Sequence, residues 1–99
     1  MKFGISDQQL QVLDGLVIRP LKRQGCRVFL FGSRVTGQHH PYSDVDLLYQ
    51  TSSPLPAGFI SGLKESLEDS RFPYSVDLVD ENDLAASYRD NVTSSMIEL

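Results

Sequence analysis

The stretch Arg27-Val28-Phe29-Leu30-Phe31, closed by Gly32, constrains the fold more than any other part of the chain. Four of its five residues are apolar, and they do not alternate with polar ones. That pattern predicts a strand buried on both faces, so other elements must cover it. With 99 residues there is room for one modest core and no second. Residues 1–99 are therefore expected to form a single domain around the sheet that holds this strand.

The flanking segments alternate between helical and extended signatures. Ser6 and Gln9 have the form of a capping box. Leu10, Leu13, Val17 and Leu21 follow at helical spacing, and Gly25 ends the run. They predict a helix over residues 7–24, with Pro20 kinking or splitting it. Residues 33–43 are polar, with Gly37 and Pro41 as breakers, and Ser33 is placed to cap a short helical turn. Val45, Leu47, Leu48 and Tyr49 mark a second strand, and residues 51–56 a loop. Ile60, Leu63 and Leu67 mark a second helix, weakened by Gly58 and Gly62. A third strand is expected from Tyr74 to Val79. A last helix would carry Leu84, Tyr88 and Val92, capped by Asp80 or Asn82. The order helix, strand, strand, helix, strand, helix predicts an α/β (α+β) fold, a small sheet with flanking helices.

Composition excludes several classes of function. The 40% hydrophobic and 22% charged fractions are those of a globular protein, not a disordered chain. No apolar run approaches the ~20 residues of a membrane span. The opening MKFGISDQQ lacks the pattern of a signal peptide. A lone cysteine, Cys26, has no internal partner, which fits a reducing, cytoplasmic setting. Nine basic residues against thirteen acidic give a net charge of −4, which argues against general nucleic-acid binding. A phosphate-bearing ligand would have to meet a local device: a helix end, a metal or a positioned arginine.

Three carboxylates mark such a place. Asp44 and Asp46 are two apart in Ser43-Asp44-Val45-Asp46-Leu47-Leu48, so strand alternation puts both on one face. Like charges that close raise each other's pKa unless something positive lies between them. Asp77, in Tyr74-Ser75-Val76-Asp77-Leu78-Val79, is flanked by apolar residues, where a lone buried carboxylate is costly. A divalent cation answers these problems, and hard oxygen donors suit Mg²⁺. The alternative is that each Asp is a solvated strand-end or turn residue. Upstream, Gly32 lets backbone approach a ligand closely, Ser33 offers a hydroxyl and an N–H, and Arg34 offers a fork matched to phosphate oxygens.

Gly32-Ser33, ten residues, then Asp44-x-Asp46, with Asp77 on a later strand, resembles the nucleotidyltransferase superfamily of DNA polymerase β. The phrase FGSRVTG is most similar to the minimal nucleotidyltransferases. The resemblance covers nearly the whole chain. It implies a small mixed sheet, with Gly32, Ser33 and Arg34 binding the nucleotide. It implies that Asp44, Asp46 and Asp77 are the catalytic, metal-binding residues, holding two Mg²⁺ ions. The implied reaction transfers a nucleoside monophosphate, AMP from ATP, with loss of pyrophosphate. Small members pair with a HEPN-domain protein in toxin–antitoxin systems and adenylylate a tyrosine on it. A non-catalytic adaptor and a small-molecule, antibiotic-type nucleotidyltransferase are the alternative readings. His39 and His40 are read as solvated loop residues, Tyr42 as a turn residue covering a core edge, Arg71 and Arg89 as surface residues, and Cys26 as a small buried hydrophobe.

Overall fold

The computed structural model describes residues 3–37 and 43–99, with backbone alone for residues 86–88 and 91. The expected capping box closes. Ser6 Oγ accepts from the Gln9 N–H at 3.1 Å, and Gln9 Oε1 accepts from the Ser6 N–H at 3.0 Å. Helix α1 (Asp7–Leu13) starts there. A π-turn (Asp14–Ile18) leads into α2 (Arg19–Arg23), with Pro20 in its first turn. Proline cannot donate, and its ring crowds the turn before it. The wider π-turn absorbs that misfit, and Arg19 N–H reaches back to the Asp14 carbonyl. The disruption expected at Pro20 thus takes the form of a π-turn just upstream. Gly25, at φ +84°, reverses the chain into the first strand.

Strands β1 (Arg27–Phe31), β2 (Val45–Gln50), β3 (Val76–Asp80) and β4 (Ile97–Glu98) form one mixed sheet in the order β3-β2-β1-β4. β1 is antiparallel to both its neighbours, and β2 and β3 are parallel, joined through α4 (Phe59–Glu68). The third strand begins at Val76, two residues later than expected. β4 has no counterpart in the sequence reading, because two residues are too few to show a period. It is held by a two-pronged Arg27–Glu98 pair, both contacts 2.9 Å, and by Leu99 N–H donating to Val28 O.

Alternation sorts the sheet into two faces. One carries Val28, Leu30, Val45, Leu47, Tyr49 and Leu78, which pack with Leu13, Val17, Ile18 and Leu21, and with Leu63 and Leu67 of α4. Each such side chain taken fully out of water contributes roughly 1.5–3 kcal/mol. The opposite face carries Phe29 and Leu48, both buried, so the central strand is covered on both sides as its composition requires. Toward one end that face also carries Asp46 and Asp77.

The end of the chain departs from expectation. Asp80 does cap, accepting from Asn82 N–H at 2.9 Å, but it caps a 3₁₀ turn (Glu81–Asp83), not a helix. Leu84 falls in the connection, and the last helix, Ala86–Ser95, starts after Ala85 with no side-chain cap. The part expected of the Tyr88 side chain lies outside what is described. Among the described residues no helix is long and apolar enough to cross a membrane.

Ser6→Ala removes one half of the reciprocal cap and is expected to destabilise the fold by about 1 kcal/mol. Urea unfolding checks this, with a lower midpoint and an unchanged slope.

Candidate functional site

Three chain ends meet at one edge of the sheet. β1 is antiparallel to β2, so its last residue, Phe31, lies opposite Asp46 near the start of β2. β3 is parallel to β2, so its beginning lies at the same edge, with Asp77 in register with Asp46. Parallel neighbours are ~4.8 Å apart, so these two carboxylates sit side by side on one face.

Gly32 follows Phe31 at φ +83° and ψ −156°, a conformation open to glycine and strained for other residues. A Cβ on this residue would overlap the Asp46 carboxylate. The backbone therefore approaches Asp46 as closely as a missing side chain allows. The Gly32 carbonyl accepts from Val35 and Thr36 N–H at 3.1 and 3.3 Å, opening the short helix α3 (Ser33–Thr36). Gly32 is thus the cap, and the capping role expected of Ser33 is corrected: Ser33 is the first helical residue. Gly37, at φ +79°, turns the chain away.

Asp46 is half-buried, and its carboxyl is held above the ordinary value. Desolvation is the largest cause, followed by the charges of Asp77 and then Asp44, with Arg34 opposing them. Asp44 is exposed and immediately precedes β2, not within it. Asp77 is exposed too, which corrects the expectation of a buried carboxylate. β3 is an edge strand, and its apolar neighbours Val76 and Leu78 point to the opposite, helix-covered face. Among the described residues no three acidic, histidine or cysteine side chains are gathered closely enough to close around an ion. The donors present are hard carboxylate oxygens facing an open glycine turn, which is the chemistry Mg²⁺ takes.

Arg34, expected at the nucleotide, is turned inward onto backbone carbonyls. It is 2% exposed, the buried charged residue of the described part. Nη1 donates to Phe3 O at 2.7 Å and Nη2 to Ser43 O at 2.6 Å. Its guanidinium carbon lies 4.4 Å from the centre of the Tyr74 ring. The physical reason is the path of α3, which turns this side chain under the site. Phe3 and Tyr74 were missed by sequence reasoning, since neither belongs to a motif. The cue was Arg34 itself, a cation in an otherwise acidic neighbourhood that needs acceptors. Cys26 is buried, and Arg71 and Arg89 are exposed, as expected. His39, His40 and Tyr42 lie outside the described residues. A cavity of about 450 Å³, lined by Tyr49, Phe59 and Asp80 among others, sits at the far end of β2 and holds none of these groups.

Residues 23–99 match the family described as polymerase beta, nucleotidyltransferase. A protein of Haemophilus influenzae named as a probable protein adenylyltransferase, MntA, is 43% identical over 53 residues, which are 54% of this chain and 46% of that protein. The chain thus spans about half the length of that curated relative. A solved structure described as a minimal nucleotidyltransferase superposes with a TM-score of 0.73 at 29% identity, covering 100% of this chain and 97% of the other. A toxin–antitoxin structure with AMP-PNP shares the fold, with a TM-score of 0.65 at 23% identity, over 86% of this chain and 70% of that one.

Two outcomes are expected at this site. Asp46→Asn should raise the melting temperature of the metal-free protein at neutral pH. A carboxyl with a raised folded-state pKa contributes stability below its ordinary value near 4, and that contribution is lost as pH rises through the folded value. The advantage of the Asp46→Asn variant should therefore grow with pH across that window and vanish below it, as melts in chelator will show. Gly32→Ala should destabilise by more than about 1 kcal/mol, because it adds strain to overlap. Denaturant titration checks it.

Proposed function

Because the chain belongs to the polymerase beta nucleotidyltransferase family, we propose that it catalyses metal-dependent transfer of a nucleoside monophosphate, AMP from ATP, to a partner protein. The observation that carries this reading is the registered pair Asp46 and Asp77 against Gly32. An adaptor has no need for a glycine turn pressed onto a partly desolvated carboxylate.

In this reading Asp44, Asp46 and Asp77 would hold a pair of Mg²⁺ ions. When bound, these cations neutralise charge on the transferring phosphate and on the attacking oxygen. The chain's own work is placement. Gly32 leaves room for the Asp46 carboxylate at the turn beside which the triphosphate would lie. Ser33, at the head of α3, would offer its N–H and hydroxyl to the same phosphates. An acceptor hydroxyl gives up its proton to solvent as its oxygen attacks the α-phosphorus, the bond to the bridging oxygen of the β-phosphate breaks, and pyrophosphate leaves. Little covalent work falls to the protein, so rate comes from position and charge.

The acceptor needs holding at near-attack distance, ~3–3.5 Å from phosphorus. A partner protein supplies that most simply, and the named activity of the Haemophilus relative supports a protein acceptor. We take the partner to be a HEPN-domain protein, as in a toxin–antitoxin pair, acting in the cytoplasm. The net charge of −4 favours a partner with a basic face.

The test is co-expression with the protein encoded next to it, with ATP labelled at the α-phosphate. Label should pass to the partner, onto a tyrosine, and should be lost in Asp44→Asn, Asp46→Asn and Asp77→Asn variants that still fold. Label on a small molecule alone, or transfer that survives these changes, overturns the reading.

A further inference from the structure

Arg34 is a buried cation that the transfer chemistry does not use. Its two terminal nitrogens are committed to backbone carbonyls far apart in sequence, those of Phe3 and Ser43. Its flat face rests on Tyr74, whose ring meets Phe72 edge-on at 5.7 Å. Nε has no hydrogen-bond partner among the described residues. Two of these contacts lead to the site and the third to the N-terminal turn. Ser43 directly precedes Asp44. Tyr74 lies on the approach to β3, three residues before Asp77. Phe3 belongs to the N-terminal turn, which the Ser6–Gln9 box and buried Ile5 hold in place.

Phe3 adds a second, independent sign. It is the non-glycine residue with positive φ among those described, at +57°. A side-chain-bearing residue takes that conformation only when its surroundings impose it. Here the strained turn aims its carbonyl at Arg34. A fixed acceptor on one side lets the fork act as a strut that sets the position of the other.

Resting on the nucleotidyl-transfer reading above, we propose that Arg34 is a positioning residue: it bridges Phe3 and Ser43 over Tyr74 and thereby fixes the backbone from which Asp44 and Asp77 would reach toward a cation shared with Asp46. It touches neither nucleotide nor metal. A planar, two-pronged donor is needed, because both carbonyls must be met at once with the ring beneath. Lysine keeps the charge and loses the bridge.

The test measures Mn²⁺ affinity by electron paramagnetic resonance, per folded molecule, together with transfer kinetics and melting temperature. Wild type is compared with Arg34→Lys, Arg34→Ala and Tyr74→Leu. Outer residues that orient ligands are worth roughly 10–100-fold in metal affinity. Arg34→Lys should therefore lose about tenfold or more in Mn²⁺ affinity and in kcat, with KM for nucleotide little changed. Guanidinium ion, added alone at low concentration, should restore part of the Mn²⁺ affinity of Arg34→Ala.

Four results would overturn the inference. Wild-type Mn²⁺ affinity in folded Arg34→Lys with a lower melting temperature means that Arg34 only stabilises the fold. A raised KM with unchanged Mn²⁺ affinity means that it contacts phosphate. If both Arg34 variants fail to fold, Tyr74→Leu decides, and wild-type Mn²⁺ affinity there refutes the strut. Wild type that binds no Mn²⁺ instead removes the metal-dependent reading itself, and this inference with it.

Discussion

Asp46 and Asp77 face each other across two parallel strands, and like charges so placed repel. What keeps them there is the apolar register on the other side of the sheet. Val45 and Leu47 flank Asp46, and Val76 and Leu78 flank Asp77, with Val45, Leu47 and Leu78 buried against the helices. A one-residue slip of either strand would put its leucine in water and its aspartate in the core. The hydrophobic loss of such a slip, several side chains at roughly 1.5–3 kcal/mol each, exceeds the repulsion between partly solvated carboxylates. The core therefore fixes the site, and the acidic pair is tolerated because it shares strands with residues that cannot move.

The mixed sheet adds what register alone cannot. Had β1 run parallel to β2, its end would lie at the far edge, and Gly32 would never meet Asp46. The antiparallel pairing brings the glycine turn to the start of β2, and the parallel pairing brings the start of β3 to the same place. The covered central strand backs this edge with buried side chains. Phe29 and Leu48 bury the site's own face just behind the carboxylates, which also accounts for the desolvation felt by Asp46.

Much of this was legible in the sequence, for stated reasons. Five apolar-rich residues ending in glycine marked β1. Spacing by three and four marked the first and second long helices, and the Ser6–Gln9 box marked where the first begins. Asp46 declared itself through its spacing of two from Asp44, which alternation places on one face, and of thirteen from Ser33. Other features were hidden. β4 is two residues long and exists through pairing with β1, not through pattern. The π-turn answers Pro20, but spacing cannot say whether a proline breaks a helix or merely widens it. Arg34 reads in sequence as a phosphate contact because its neighbours Gly32 and Ser33 set that context. Its direction depends on where α3 points, and on Phe3 and Tyr74, which are thirty-one and forty residues away.

The direction of Arg34 changes the electrostatics of the whole edge. An outward guanidinium would offset the carboxylates and offer a triphosphate its own positive contact. Turned inward, with each nitrogen–carbonyl bond contributing about 1.5–3 kcal/mol, it is committed to the frame. Asp44 and Asp77 then add their charge to that of Asp46 with modest opposition, as the raised Asp46 value records. A polyanionic ligand approaching such a surface alone meets repulsion that backbone N–H groups of a four-residue helix cannot offset. The acidic edge thus favours a ligand that arrives with its own cations. Any cation that joins the three carboxylates also relieves their repulsion, so binding and folding stability rise together by linkage. A chain built this way trades stability in the absence of cation for charge held ready on a registered strand pair.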